Sequence, residues 1–184
     1  AQAVEQAKQN YDHVEVIDVE QSWPFGPESF DAIHAGALLE HVHDWHSPLN
    51  QASRVLKDDG LLVVAVPNLR YWKEVKRLFR GKQPHWLQCM MHVHGYTPNF
   101  LCELLKAHGF TPFALRADRV NLPLLPNSEW VTRVFAKWGS VLIAAARKTR
   151  TVRVEDASLS HRFPQATPIP SLRALEIPLD SDVH

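Results

Sequence analysis

The feature that most constrains the fold is an uninterrupted apolar run at residues 61–66, Leu-Leu-Val-Val-Ala-Val. A short run that is rich in β-branched residues is typical of a strand covered on both faces, as in a parallel sheet. Pro67 ends the run, and helical patterns lie on either side of it. One opens at Ser47-Pro48 and stops at Asp58-Asp-Gly60, and the other covers residues 69–80. A strand between two amphipathic helices predicts a layered α/β domain.

The same kinds of pattern divide the rest of the chain into a domain and a tail. Ser or Thr followed by Pro opens two of the helices, which is the usual order of N-cap and first helical residue. Residues 1–148 are expected to form the domain. Residues 149–184 contain prolines, no glycine and no sustained period, which predicts a disordered or loosely draped tail. The remaining predicted elements are a helix over 1–10, strands at 13–18, 30–37, 110–120 and 140–147, and a helix from Thr97-Pro98 to residue 107.

Composition argues against several classes of protein. Twenty Lys and Arg balance twenty Asp and Glu, so no overall basic field would attract nucleic acid, which is not favoured as a partner. Cys89 and Cys102 have neither the number for a disulfide framework nor the spacing of a redox or zinc pair. No apolar run approaches the roughly 18 residues of a membrane span, and no signal-peptide core is present. These features predict a cytoplasmic protein.

Glycine is scarce and unevenly placed. The chain has 7 glycines, and none precedes Gly26, so the first residues cannot supply a glycine-rich phosphate loop. The helical pattern at the start also lacks a capping Ser, Thr, Asp or Asn. We therefore expect the chain to be processed or truncated at its N-terminus.

Four segments stand in a fixed order along the chain: 18–25 with 28–31, Leu38-Leu-Glu-His-Val42, 54–68, and Gly95-Tyr-Thr-Pro98 leading to 104–110. Together they resemble the class I S-adenosylmethionine-dependent methyltransferases, over roughly residues 1–148. The resemblance implies a Rossmann-like, doubly wound sheet, S-adenosylmethionine as cofactor, and a glycine loop and a ribose-binding acid on strands that would precede Ala1. This chain alone is therefore expected to lack the first βαβ elements and to bind the cofactor weakly or not at all.

The predicted cofactor contacts follow two successive strands. Open parallel sheets bind ligands beyond the carboxyl ends of their strands, and Asp18 occupies such an end. The resemblance implies that Asp18 accepts a hydrogen bond from the adenine amino group and that Val19 packs on the ring. It also places the backbone of His34, Ala35 and Gly36 against the methionine part. The alternative for Asp18 is that its carboxylate caps its own loop.

Histidines supply the candidate catalytic residues. Imidazole serves as a base or as a metal ligand, and His41, His92 and His94 are the candidates for acid–base work. The pattern is also similar to the magnesium-dependent small-RNA 2′-O-methyltransferases, which use Glu-x-x-Glu-His and a later His. This resemblance implies an alternative metal site of Glu40, His41 and His94. The first Glu of the motif is Ala37 here, which weakens a site for a hard cation. Four further histidines, His13, His43, His46 and His108, are expected to be structural or at the surface.

The acceptor side is predicted to lie beyond the central strand. Substrate contacts are expected from Asn68, Tyr71, Trp72 and Tyr96. The helix at 69–80 carries five basic residues and one acid, which indicates either a contact with an anionic acceptor or membrane surface, or simply a solvated basic face.

Together these features favour an enzyme that methylates a small-molecule, sugar or lipid-linked acceptor, at oxygen. Two alternatives stay open. One is a non-catalytic methyltransferase-like subunit, which the apolar Gly36 and Ala37 would suit. The other is a metal-assisted RNA 2′-O-methyltransferase.

Overall fold

A computed structural model describes residues 2–86, 92–118 and 138–149. Four helices and four strands lie within these ranges. The helices are α1, Gln2–Lys8; α2, His46–Val55; α3, Trp72–Phe79; and α4, Pro98–Ala107. The strands are β1, Phe30–Gly36; β2, Leu56–Pro67; β3, Phe110–Ala117; and β4, Val141–Lys148.

The four strands form one sheet in the order β1-β2-β4-β3. β1 and β2 are parallel and are joined through α2, whereas β4 runs antiparallel to both β2 and β3. A helix that connects two parallel neighbours is the βαβ unit of layered α/β folds. The predicted α/β, Rossmann-like class is confirmed.

The core lies on one face of the sheet. Leu62, Val64 and Val66 of β2 are buried there, and α2 and α4 supply the apolar side chains packed in the same core. Leu61, Val63 and Ala65 point to the opposite face and are only half-buried. The predicted burial on both faces is therefore complete on one face and partial on the other. The buried helix residues of the core are Leu49, Ala52, Leu101, Leu104 and Leu105.

The strand predicted at residues 13–18 does not form. Within the described residues β1 pairs only with β2, and a strand exists only where its N–H and C=O groups find a neighbouring strand. Asp18 forms a turn instead. Its Oδ1 atom accepts from the Glu20 N–H at 3.0 Å and its carbonyl from the Gln21 N–H at 3.2 Å. The loop-capping alternative for Asp18 is thus what this structure contains.

Helix starts agree with the sequence where the cap is local. Thr97 caps α4, its Oγ1 atom accepting from the Phe100 N–H at 3.3 Å, with Pro98 in the first turn. α2 differs, because it begins at His46 and the Ser47 hydroxyl donates to the Glu20 carbonyl at 2.6 Å rather than capping the helix. It also ends earlier than predicted, because Leu56 already has extended backbone angles.

α3 starts at Trp72 rather than at residue 69, because a turn at Asn68 comes first. The Asn68 carbonyl accepts from the Tyr71 N–H at 3.1 Å. None of the described helices is both long and apolar enough to cross a membrane. The tail from residue 150 onward lies outside the described residues.

Candidate functional site

Three segments meet where β1 and β2 end, and we call this region the carboxyl edge: residues 37–46, 68–71 and 92–96. Backbone hydrogen bonds join them. The Val93 N–H donates to the Glu40 carbonyl at 2.8 Å, and the Leu69 N–H donates to the Tyr96 carbonyl at 2.8 Å. The edge is therefore a connected surface at the end of the sheet where α/β folds bind ligands.

Tyr96 anchors the carboxyl edge from below. Its side chain is fully buried, and its hydroxyl donates to the Leu39 carbonyl at 2.8 Å. Burial, and then the charge of Glu40, raise the pKa of Tyr96 far above its ordinary value. The phenol therefore stays protonated and keeps donating this bond. Of the four predicted substrate contacts, Tyr96 thus has its polar group engaged within the fold.

Asn68 is also engaged by the protein. The side chain is 1% exposed, its Nδ2 group donates to the Gly139 carbonyl at 2.7 Å, and its Oδ1 atom accepts from the Arg70 N–H at 2.9 Å. These bonds fix the chain where it leaves β2 and turns toward α3. Tyr71 is buried beside this turn, and Trp72 is half-buried.

A carboxylate and two imidazoles converge at the top of the edge. Glu40, His41 and His92 each place one potential ligand atom within 4.8 Å of the others, and the rings of His41 and His92 are 4.6 Å apart. Glu40 is 2% exposed, yet its Oε2 atom has no hydrogen-bond partner among the described residues. A buried, unpartnered carboxylate oxygen costs free energy. The cluster therefore has spare capacity to bind.

The tautomer of His92 follows from its neighbour. Its Nδ1 atom lies 2.8 Å from the Trp86 carbonyl. Because a carbonyl oxygen only accepts, Nδ1 carries the hydrogen and Nε2 carries the lone pair. An imidazole held this way presents a basic nitrogen to a proton or to a metal ion.

His94 lies apart from this cluster. Its Nε2 atom donates to the His43 carbonyl at 3.2 Å, and its ring packs edge-on against Trp45. Val93 and His94 both donate their N–H groups to the Glu40 carbonyl, so the segment is not an extended strand and sends His92 and His94 to different neighbours. Of the alternative metal set Glu40, His41 and His94, the structure brings the first two together, and the imidazole beside them is that of His92 rather than His94.

Three of the five predicted cofactor residues share one apolar cavity. Val19, His34 and Ala35 line a space of about 150 Å³ between the 17–25 segment, β1 and α2. The Trp23 indole N–H donates to the Val19 carbonyl at 3.1 Å and holds that wall. Asp18, between the lining residues Ile17 and Val19, is exposed. Apolar side chains that complete the lining include Ile17, Ile33, Leu38, Leu49, Ala52 and Leu62.

The end of β1 has an unusual backbone. A Cβ atom on Gly36 would lie 2.8 Å from Cε1 of His34, so the glycine makes room for that imidazole. Ala37 follows with φ of +50°, a left-handed conformation that costs a residue with a Cβ about 1 kcal/mol. Strain of this kind often marks functional sites. The sequence gives no sign of it, since alanine has no preference for that conformation.

Glu20 contacts the carboxyl edge, and the sequence reasoning did not single it out. Its Oε1 atom accepts from the N–H groups of His43 and Asp44, both at 2.7 Å. The carboxylate thereby ties the turn that follows Asp18 to the turn that follows His41. An acid two residues after Asp18 was the available signal.

Comparison with known proteins identifies the family. A family model for a methyltransferase domain matches residues 2–115, which is more than half of the chain. The chain belongs to this methyltransferase-domain family. The predicted resemblance to class I S-adenosylmethionine-dependent methyltransferases is confirmed. Among curated protein sequences, none matches the chain.

Solved structures agree on the fold. A methyltransferase from Thermotoga maritima, described as S-adenosylmethionine-dependent and a possible histamine N-methyltransferase, is similar with a TM-score of 0.60 and 18% identity, over 80% of this chain and 70% of that one. An S-adenosylmethionine-dependent methyltransferase from Archaeoglobus fulgidus gives 0.57 and 15%, over 79% and 71%. Another from Methanosarcina mazei gives 0.56 and 16%, over 81% and 78%.

Proposed function

We propose that the protein is an S-adenosylmethionine-dependent methyltransferase that methylates a hydroxyl group of a small, sugar or lipid-linked acceptor. The observation that carries the proposal is the pairing of two features at one end of the sheet. The apolar cavity extends to Leu39, and the next residue, Glu40, begins the cluster with His41 and His92. A candidate cofactor cavity and a candidate proton-accepting group thus adjoin each other, which suits methyl transfer to a hydroxyl group.

The cofactor side of the proposal rests on the cavity and its rim. A flat heterocycle such as adenine suits an apolar space walled by Val19 and Ala35. The Asp18 carboxylate at the rim would accept from the exocyclic amine while keeping its bond to the Glu20 N–H. Gly36, without a Cβ, would let the methionine portion approach the backbone once the His34 ring moves aside.

The chemistry assigned to the chain is positioning and proton transfer. When bound, S-adenosylmethionine supplies an electrophilic methyl group. The cluster would hold the acceptor hydroxyl in line with that carbon, which is the main source of acceleration for such a displacement. His92 Nε2 would take the hydroxyl proton as the new carbon–oxygen bond forms and the methyl carbon–sulfur bond breaks, with neutral S-adenosylhomocysteine leaving. The Glu40 carboxylate would stabilise the resulting imidazolium. Asn68 and Tyr96 act as positioning residues.

Calorimetric titration of the full-length gene product with S-adenosylmethionine tests the first half of the proposal. Saturable binding that weakens in Ala35→Trp, which fills the cavity, is expected. The control is Ala32→Trp, on the opposite face of β1. If the protein does not bind S-adenosylmethionine at millimolar concentration, the proposal of an enzyme is contradicted and a non-catalytic subunit is favoured. The acceptor is then sought with labelled cofactor against hydroxylated small molecules, sugars and lipid-linked sugars.

A second candidate function uses a divalent cation at the same cluster. Two imidazole nitrogens and one carboxylate oxygen within 4.8 Å form a donor set that suits zinc, manganese or cobalt better than magnesium. The Nδ1 bond of His92 to the Trp86 carbonyl is the outer support that metal-bound histidines usually have. Such an ion would lower the pKa of an acceptor hydroxyl, including a ribose 2′-hydroxyl. Activity that is lost in chelator and restored by manganese favours this candidate, and activity unchanged in chelator contradicts it.

A further inference from the structure

The surface formed by α3 and the turn after it concentrates positive charge. Five cations, one indole ring and the imidazole of His85 line a shallow concavity of about 300 Å³. The chain as a whole has a formal net charge of zero, so this is a local feature and not part of a general basic field. We call it the basic surface; it consists of Trp72, Lys73, Lys76, Arg77, Arg80 and Lys82.

The acid within α3 does not offset this charge. Glu74 is 6% exposed, and its carboxylate turns away from solvent to accept the His85 N–H at 2.7 Å and to face His85 Nδ1 at 3.1 Å. The ion pairs that the described lysines and arginines make with carboxylates use other cations, namely Lys8, Lys57, Lys106, Arg147 and Lys148. Arg77 also donates from Nε to the Gln83 carbonyl at 3.0 Å, and none of the five cations of the basic surface has a carboxylate partner among the described residues, so they are available to an external anion.

Apolar groups flank the same cations. Phe79 is 88% exposed, and it lies two helical turns from Trp72 and three residues from Lys76, on the same flank of α3. The ammonium groups of Lys73 and Lys76 lie 5.7 and 5.9 Å from the Trp72 ring. A helix with an exposed aromatic flank beside a basic face is the pattern of segments that lie in the interface of a membrane.

We infer that the basic surface docks the protein onto an anionic phospholipid bilayer, with Phe79 inserted among the headgroups. Charge complementarity selects the anionic lipid, and the exposed ring selects a bilayer over free phosphate, which would gain nothing from Phe79. Docking would bring the carboxyl edge toward the lipid, because only residues 68–71, which belong to that edge, separate β2 from α3. The inference concerns binding alone and does not rest on methyl transfer.

Vesicle co-sedimentation of the full-length protein tests the docking without cofactor or acceptor. The protein should pellet with vesicles of phosphatidylcholine mixed with phosphatidylglycerol, should not pellet with phosphatidylcholine alone, and should be released by high salt. The triple variant Lys73→Gln, Lys76→Gln, Arg80→Gln should lower the affinity about a hundredfold. The matched control, Lys8→Gln, Lys57→Gln, Lys106→Gln, removes the same charge elsewhere and should bind as the parent does.

A second variant separates the bilayer from other anions. Phe79→Ser keeps every charge and should weaken vesicle binding several-fold, while circular dichroism checks that each variant is folded. The inference is overturned if neutral vesicles bind equally, if neither vesicle binds, or if both triple variants behave alike. It is also overturned if inorganic phosphate or a short RNA displaces the protein from vesicles while Phe79→Ser has no effect.

Discussion

Two pairs of histidines in this protein show how differently the same residue type can be used. His46 and His108 lie 2.9 Å apart, Nδ1 to Nε2, and the second nitrogen of His108 lies 2.7 Å from the Leu104 carbonyl. Since that carbonyl only accepts, His108 Nδ1 donates to it. His108 Nε2 therefore accepts a hydrogen bond from the Nδ1–H group of His46. Both nitrogens of the fully buried His108 are thus used within the fold.

His41 and His92 are the opposite case. They stand beside Glu40, whose buried Oε2 atom has no partner within the described structure. The first pair completes a hydrogen-bond network, whereas the second borders one that is incomplete. The difference teaches that histidine content alone does not mark a site. The unpartnered carboxylate does, because folding would normally have removed its cost.

The sharpest test of this comparison removes the proposed base. His92→Asn should lower the rate of methyl transfer by about 10²–10⁴-fold, the usual contribution of general-base catalysis, because the asparagine amide lies where Nδ1 was and can still donate to the Trp86 carbonyl but has no basic nitrogen. Steady-state kcat against pH is the measurement. His94→Gln is the control, since His94 bonds elsewhere. Equal losses in the two variants would contradict the assignment.

Acid should act on the other pair through stability. Burial is the main cause that lowers the pKa of His108 from 6.5 to about 4, while its bond to Leu104 works in the opposite direction. The unfolded chain therefore binds more protons than the folded one between these values. Stability from this group is complete above about pH 6.5 and is lost as the pH falls, by on the order of 3 kcal/mol near pH 4.

Urea unfolding at pH 7 and at pH 4.5 measures this effect. His108→Gln should be less stable than the parent at pH 7 and should lose less of its stability on acidification. His13→Gln, at an exposed histidine, should follow the parent at both pH values. If His108→Gln keeps the full acid sensitivity of the parent, His108 is not the group responsible.

Glu40→Gln should separate stability from function. The amide removes a buried charge and can donate as well as accept, so the free energy of unfolding should rise by about 1–2 kcal/mol. Methyl transfer and any cation binding should fall. Thermal unfolding measures the stability, a methyl-transfer assay measures the activity, and manganese titration measures the cation binding. If Glu40→Gln were less stable than the parent, the Glu40 carboxylate would have a hydrogen-bond partner in the folded protein. The contrast between the two histidine pairs would then disappear.

Strain just before the cluster gives the smallest effect. Ala37→Gly should stabilise the protein by roughly 0.5 kcal/mol, because glycine adopts the left-handed conformation without the cost that alanine carries, less the entropy of a more flexible unfolded chain. Ala32→Gly, in β1 at a residue without positive φ, should destabilise it by about 0.5–1 kcal/mol. Chemical denaturation of both variants is sufficient, and changes of the same sign would argue against strain at Ala37.

How far the sequence predicts this molecule depends on the range of the interactions involved. α4 was predicted well because Thr97 and Pro98 act on their own helix. The strand at 13–18 was wrong because a strand needs a partner that no local pattern supplies. The sequence could not tell which of His92 and His94 lies beside Glu40. Their side-chain directions depend on the backbone at 92–94, where the N–H groups of Val93 and His94 both donate to the Glu40 carbonyl. Val19, His34 and Ala35, which the resemblance implies as cofactor contacts, line one cavity, although no strand precedes Val19 among the described residues; their role toward the cofactor stays a prediction.

The Glu20 carboxylate has a thermodynamic consequence for how two ligands would share the protein. It accepts hydrogen bonds from the N–H groups of His43 and Asp44, and its own residue lies in the turn that begins at Asp18. A ligand that ordered one of these turns would also order the other, so a second ligand bound there would lose less conformational entropy. Such coupling is reciprocal: whichever molecule arrives first improves the affinity for the second by the same factor that it would gain in return.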